Sequence, residues 1–494
     1  MFGSRASGTV RTNRPPIGAA GTNGPLVLGL MALASLAVSY VLLSRLGIQL
    51  FSAVLIGIVV GVIYLFLSFR SLAIPFYIAV LSIGGFRFLL NMQVPMLPDL
   101  YLDRLMVLWL LIVFMIKFFA EGRRFKGPYA LDIALLVHGT YIFMRIWAYG
   151  FEVFTPWTQS ILVPYMVYFF AKNIIETKRQ LQILYVLLLL VGFYYSVSSI
   201  AQKFHIDAIL YPTYMRLPSV GWPGRSSGPY NNPGIFGNVL GMILPINLYF
   251  LSILKSRPWR AALMVNVALC FLGLYFTYTR GAWICTAAGL FVVVLLNRKS
   301  YLKALTPLAV VVPILGIVFL GLGQDKFMKE RVENEDTIGA RLGTMVTALR
   351  VWRDHPFLGC GSYRYAAVRG QYIEPVNVPG FPTIQFVQFR NNSAHDMYLG
   401  PLAEDGLVGV GLMFLIYFLN ARNLFRIYRR ARLGDRFAIY IIPLFAGVMV
   451  SYLVGGITQS FRHAAIMGTM LLMTAGIAAG YDPEKYESRV LVED

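Results

Sequence analysis

A chain of 494 residues that is 57% hydrophobic and 13% charged has about half the charge of a soluble domain. Apolar runs of about 20 residues, the length that crosses a hydrocarbon core, recur along it; being continuous rather than alternating, they exclude a β-barrel. The net charge of +20 would point a soluble protein toward nucleic acid, but here cationic loops that hold helices on the cytoplasmic side explain it first, and no nucleic-acid partner is expected.

Residues 1–24 are polar, with Arg5, Arg11 and Arg14. The apolar run that follows is too long for the core of a cleavable signal, so 1–24 is expected to be a cytoplasmic tail. Hydropathy then predicts about fourteen spans: 25–44, 49–69, 71–90, 104–120, 129–148, 158–175, 181–203, 234–255, 260–279, 281–297, 303–322, 396–420, 437–458 and 463–481. Little more than Arg70 separates the second from the third, and Arg280 separates the ninth from the tenth, so both pairs are expected to be tight hairpins. The organisation expected is transmembrane helices over 25–203, 234–322 and 396–481, outer loops at 204–233 and 323–395, and a cytoplasmic tail at 482–494.

With the N-terminus inside, about 25 Lys/Arg fall in cytoplasmic segments and about seven in short outer loops, as the positive-inside rule requires. Cys270 and Cys285 lie in apolar runs and Cys360 lies in a loop, a set that supports neither a disulfide framework nor a zinc site. Within the large outer loop, Ile338, Leu342, Met345, Val346, Leu349 and Trp352 are spaced as one helix face. Asp336 or Thr337 is placed to cap that helix and Pro356 follows it. The helix is expected along the membrane surface or over a cavity, and the Gly-rich "FLGCGSYRYAAV" is expected to turn into a second short helix.

This parity puts Arg225 in the first outer loop, Arg280 at the outer tip of a hairpin, and His395 where the large loop re-enters the bilayer. Each has an ordinary explanation alone: a snorkelling arginine, a headgroup contact, a histidine satisfied by backbone. Together, two guanidiniums and an imidazole at one boundary describe an anion site with a base beside it. "NNPG" just before a helix start adds backbone N–H groups that favour anions. "ENED" at 333–336 is the single acidic cluster of the outer loops and is expected to cap the lid helix, so neither metal nor cofactor is expected.

"GPYNNPGIFGNVL", "TYTRGAWICTAAGL", "RVWRDHPFLGCGSYRY" and "AHDMYLGPLAEDGLVGVGL" occur in that order. This ordered set resembles the bacterial O-antigen ligase and polymerase family, best over 220–420. The resemblance implies an all-α polytopic bundle of the GT-C type, with about 12–14 spans and a large, partly helical periplasmic loop. It also implies a glycosyltransferase of the bacterial inner membrane, with an active site facing the periplasm and both termini in the cytoplasm. The donor would be a glycan on undecaprenyl diphosphate. The acceptor would be a hydroxyl of lipid A core, of another lipid-linked repeat, or of a protein Ser, and membrane lipids surround all three partners.

By the same resemblance His395 takes the acceptor proton. Arg225 and Arg280 hold the diphosphate, Arg341 is a third cation, and Tyr398, Glu404 and Tyr230 support the site. Family members often carry Asn after the histidine and have around twelve spans, whereas this chain has Asp396 and reads as about fourteen. Asp396 either raises the histidine's pKa or points away and caps the helix. Asp405 is expected to find an Arg or backbone partner. Arg87, Asp132, His138 and Arg145 have no partner legible in the sequence, and nothing ties Arg462 or His463 to the site. Within the family, ligase, polymerase and protein O-oligosaccharyltransferase remain alternatives; outside it, a solute transporter is the rival.

Diphosphate is a good leaving group that needs its growing charge met by preorganised cations. A histidine with an ordinary pKa near 6.5 suits removal of the acceptor proton at neutral pH. One direct displacement inverts the anomeric centre.

Overall fold

The computed structural model describes residues 57–87, 90–92, 100–147, 154–217, 222, 224–302, 336–375, 394 and 396–487. The expected spans 25–44 and 303–322, most of "ENED", and His395 lie outside these residues. The chain divides into two units, 1–67 and 68–494. The first is described only by the opening of helix α1 (Gly57–Arg70).

The protein is an all-α polytopic membrane protein. Among the described residues six helices are long and apolar enough to cross a membrane: α4 (Ala130–Trp147), α7 (Lys178–Lys203), α8 (Pro233–Ile253), α9 (Arg257–Phe276), α13 (Leu399–Arg432) and α14, of which Phe437–Gly456 is the apolar part. Shorter apolar helices are α1, α2 (Ala73–Leu81, continued by a π-turn to Phe86), α10 (Arg280–Leu296) and α15 (Ala465–Ala479). Between them lie α3 (Leu102–Glu121), α5 (Phe154–Trp157) and α6 (Val163–Ile174). Helices α11 (Asp336–Asp354) and α12 (Tyr365–Val368) form the long loop, and α16 (Pro483–Glu487) follows the last span. The only strands among the described residues are β1 (Asn91–Met92) and β2 (Leu100–Tyr101), an antiparallel pair.

Local chemistry sets the ends. Thr177 and Gln180 form a reciprocal capping box at the start of α7. Asn232 accepts from the Gly234 and Ile235 N–H groups, with Pro233 as the first residue of α8. Asp435 caps α14 through the Ala438 N–H.

Helix α8 is buried on nearly every side, as a helix apolar all round must be. It packs on α7, α9, α10 and α14; α10 lies along α14, α15 along α6, and α4 along α13. Small residues let the backbones close in: Gly289 of α10 abuts Ser451 and Gly447 of α14, and Gly476 of α15 abuts Tyr168 and Ala171 of α6.

One sequence expectation changes. The span expected at 396–420 continues as helix to Arg432 and is broken inside, at Gly406. On α11 the buried positions are Gly343, Thr344, Thr347, Ala348 and Val351, while Leu349 is exposed. The helix packs on α13, where small side chains allow the closer approach.

Candidate active site

The loop before α8 is fastened to the tip of the α9–α10 hairpin. Arg225 donates from Nε to the Thr277 carbonyl (2.9 Å) and from Nη2 to Thr279 Oγ1 (2.5 Å), and its guanidinium lies 4.9 Å from the centre of the Trp222 ring. The Ser226 N–H donates to the Phe276 carbonyl, and Gln202 at the end of α7 accepts from the Ser227 and Gly228 N–H groups. Arg225 is therefore held against the turn whose next residue, Arg280, opens α10. Half-buried Arg280 makes no hydrogen bond or ion pair with a described residue.

Three helix starts meet the end of α14 and the turn 457–464 that follows it. At the start of α8, Gly234 abuts the Gln459 side chain. At the start of α10, Gly281 abuts Thr458. Just before α13, the Met397 N–H donates to the Gly456 carbonyl (2.8 Å) and the Tyr398 hydroxyl to the Leu453 carbonyl (2.6 Å). Each helix start carries partial positive charge on N–H groups without an intrahelical partner. Converging with Arg225 and Arg280, they make this end of the bundle suited to an anion.

His395 itself lies outside the described residues, but both chain neighbours are placed. The Ala394 carbonyl accepts from Thr344 of α11 (3.3 Å). Asp396 Oδ1 accepts from the Tyr398 and Leu399 N–H groups (2.6 and 2.5 Å), so of the two readings for Asp396 the capping one is observed. Burial pushes its carboxyl above the usual range, against the pull of those two bonds. Arg341 lies one turn before Thr344, whose hydroxyl also meets the Arg341 carbonyl (2.8 Å). Tyr230 donates to the Gly84 carbonyl and shares a hydrogen bond with the Tyr195 hydroxyl, both at 2.7 Å. It lines a cavity of about 140 Å³ together with Arg87 and Gln159.

Glu404 and Asp405 are placed otherwise. At Gly406, φ is +65° and ψ is −167°, and a Cβ there would strike the Phe357 carbonyl. A broken helix leaves N–H and C=O groups that hydrocarbon cannot satisfy, and the stretch 356–361 satisfies them. The Leu407 and Val408 N–H groups donate to the Pro356 and Phe357 carbonyls (2.9 and 3.1 Å). In return the Cys360 and Gly361 N–H groups donate to the Ala403 and Glu404 carbonyls (2.9 Å each). Arg145 of α4 donates to the Leu358 and Gly359 carbonyls, and Tyr141 to that of Asp405.

Beneath this exchange Arg462 meets Asp405 (2.5 Å) and Glu404 (2.8 Å), and its guanidinium lies 4.2 Å from the centre of the Tyr363 ring. Ser362 bonds Asp405, and the Tyr365 N–H donates to Glu404. Burial works against the Arg462 charge, and the two carboxylates more than offset it. Burial also pushes the Cys360 thiol up to about 12, with Glu404 adding to the effect, so this thiol is inert at neutral pH. Asp405 and Arg462 edge a second cavity, of about 90 Å³, with His138, Tyr165, Met397 and Tyr417.

Sequence reasoning did not find the partners in this group: Arg462 with Glu404 and Asp405, Arg145 with the loop carbonyls, His138 with the Tyr165 hydroxyl (2.6 Å) and Asp132 with Lys172 (2.7 Å). The one signal available was acids at 404–405 and a base at 462, each near a span end. Nor did it find Thr458 and Gln459, which are uncharged and against which two of the helix starts are placed.

Residues 265–414, from within α9 to within α13, match the family model described as O-antigen ligase, Wzy_C. Over this segment the chain is similar to the O-antigen ligase family. No curated protein matches it. The matched segment contains Arg280, Arg341, the loop exchange and position 395; Arg225 lies before it and Arg462 after it.

Proposed function

We propose that this protein transfers a glycan from an undecaprenyl diphosphate carrier to an acceptor hydroxyl on the periplasmic side of the bacterial inner membrane. The match of residues 265–414 to the O-antigen ligase family model supports an activity of the O-antigen ligase/polymerase type. The observation that carries the finer reading is the meeting of the starts of α8 and α10 at the turn 457–464 and of α13 at the adjoining end of α14, with Arg225 bonded to Thr279, the residue before Arg280. That arrangement offers cationic groups and positive helix ends to a diphosphate.

In the reaction the acceptor oxygen attacks the anomeric carbon while the bond from that carbon to the diphosphate oxygen breaks. His395 takes the hydroxyl proton; Arg225, Arg280 and Arg341 hold the departing diphosphate, whose charge grows as the bond lengthens. Asp396, engaged with two backbone N–H groups, fixes the start of α13. One displacement inverts the anomeric configuration. The chemistry proposed for these residues requires no metal ion.

The test is incubation of the purified protein with an undecaprenyl diphosphate-linked oligosaccharide and separate candidate acceptors, with product analysis. Transfer with inversion by the native protein, lost in His395→Ala, is expected. Transfer at native rate by His395→Ala would remove the base role, and activity abolished by chelator and restored by a divalent ion would overturn the metal-free displacement.

A further inference from the structure

The turn 457–464 touches more than the helix starts. Five residues beyond Gly456, its Phe461–His463 stretch forms a single 3-10 turn that places Arg462 among groups from two other parts of the chain. One is the first segment of α13, Leu399–Asp405, which ends at the Gly406 break. The other is the outer-loop stretch 356–365. Arg462 touches both, through Asp405 and Glu404 on one side and the Tyr363 ring on the other. Its side chain is 8% exposed.

The segment Leu399–Asp405 is short, about 10 Å at 1.5 Å per residue, and is fixed at both ends. Asp396 closes its start, and the Arg462 ion pairs close its end. A carboxylate pair and a guanidinium removed from water must keep each other company, because removing one partner leaves a buried charge unpaired. The first segment of α13, the exchange with 356–361 and the turn 457–464 therefore move together or not at all. The same turn carries Thr458 and Gln459 against the starts of α10 and α8.

We propose that Arg462 is a positioning residue: its ion pairs with Glu404 and Asp405 and its seat on Tyr363 lock the stretch 356–365 and the first segment of α13 to the turn 457–464, and so set where Asp396 and Met397 stand relative to Arg280. Arg462 acts through this segment and not on substrate. The consequence for glycan transfer rests on the function proposed above; the lock itself does not.

Hydrogen–deuterium exchange of the full-length protein in detergent tests the lock, and transfer kinetics test the positioning. In Arg462→Gln, amides of Cys360, Gly361, Leu407 and Val408 are expected to exchange together at least about tenfold faster, with α10 and α14 unchanged, as a local cooperative opening does. The turnover number is expected to fall about tenfold with the KM for the lipid-linked donor within about twofold, the signature of a misplaced reacting group. Arg462→Lys is expected to recover part of both, since an ammonium keeps charge without the two-point fork.

Unchanged exchange at those four amides overturns the lock. Faster exchange with native turnover, or a rise in donor KM that accounts for the loss, overturns the positioning role. Should Arg462→Gln fail to fold, Arg462→Lys and Ser362→Ala are read by the same two measurements. A native protein that transfers no glycan overturns the proposed function, while the exchange measurement still decides the lock.

Discussion

Two charged regions lie beside the turn 457–464 and are built on opposite plans. Around 225–232 and 277–281, arginines and helix starts are gathered: Arg225 bonds a carbonyl and a hydroxyl, and the neutral Asn232 caps α8. Around 356–365, 404–408 and Arg462, a guanidinium is answered by two carboxylates, and the backbone groups at the helix break are paired. An arginine at a helix start adds its charge to that of the N–H groups there; one neutralised twice over is a fastener. The contrast separates a candidate binding region from a structural one where residue type alone does not.

The largest effect expected from breaking this contrast is at the base. His395→Ala is expected to lower transfer by about 10²–10⁴-fold, measured as product formed per enzyme with carrier-linked donor. In the native protein, transfer is expected to fall as pH drops below about 6.5, because a protonated imidazole takes no further proton. A rate flat from pH 8 to pH 5 would set that role aside.

Next is the break itself. Gly406→Val places a branched side chain at φ +65° against the Phe357 carbonyl. A cost of about 3 kcal/mol or more is expected, read as a lower melting temperature and faster proteolysis at 356–361. An unchanged melt would mean that the loop and α13 are not zipped.

On the open side, Arg280→Ala is expected to raise the donor KM about tenfold or more, a lost charged contact of about 1.5–3 kcal/mol, without lowering thermal stability. Arg225→Ala is expected to do both, because it also removes the bonds to Thr277 and Thr279. Identical behaviour of the two would erase the distinction between a ligand cation and one that also builds the loop. The smallest change is at the cap. Asp396→Ala is expected to destabilise by about 1 kcal/mol, with Asp396→Asn close to native, since an amide oxygen accepts the same two N–H groups. A variant with Asn that loses transfer while keeping its melt would assign Asp396 a role beyond the cap.

The same contrast shows how far the sequence reaches. The hairpin at 277–279, the capped start of α8 and the lid helix at 336–354 follow from local signals, because apolar length, Asn-Pro and helical spacing act within one turn of the chain. The partner of Glu404 is 58 positions away in the turn 457–464, beyond the reach of local spacing. The apolar spacing of α11 marks a helix, but not that small residues would be the ones buried, because closeness of approach depends on the neighbour.

By itself, the sequence determined that the chain crosses the membrane many times as helices, where most of those helices begin and end, and which family motifs it carries. Backbone hydrogen bonding in a medium without water leaves few alternatives to that. Which end of α13 is broken, which arginine is neutralised by two carboxylates and which turn gathers the starts of α8 and α10 were decided only in three dimensions. Those outcomes rest on contacts between segments far apart in the chain, from Cys360 with Ala403 to Gly234 with Gln459, and a Gly, a Thr or a Gln gives no sign in the sequence of what will be packed against it.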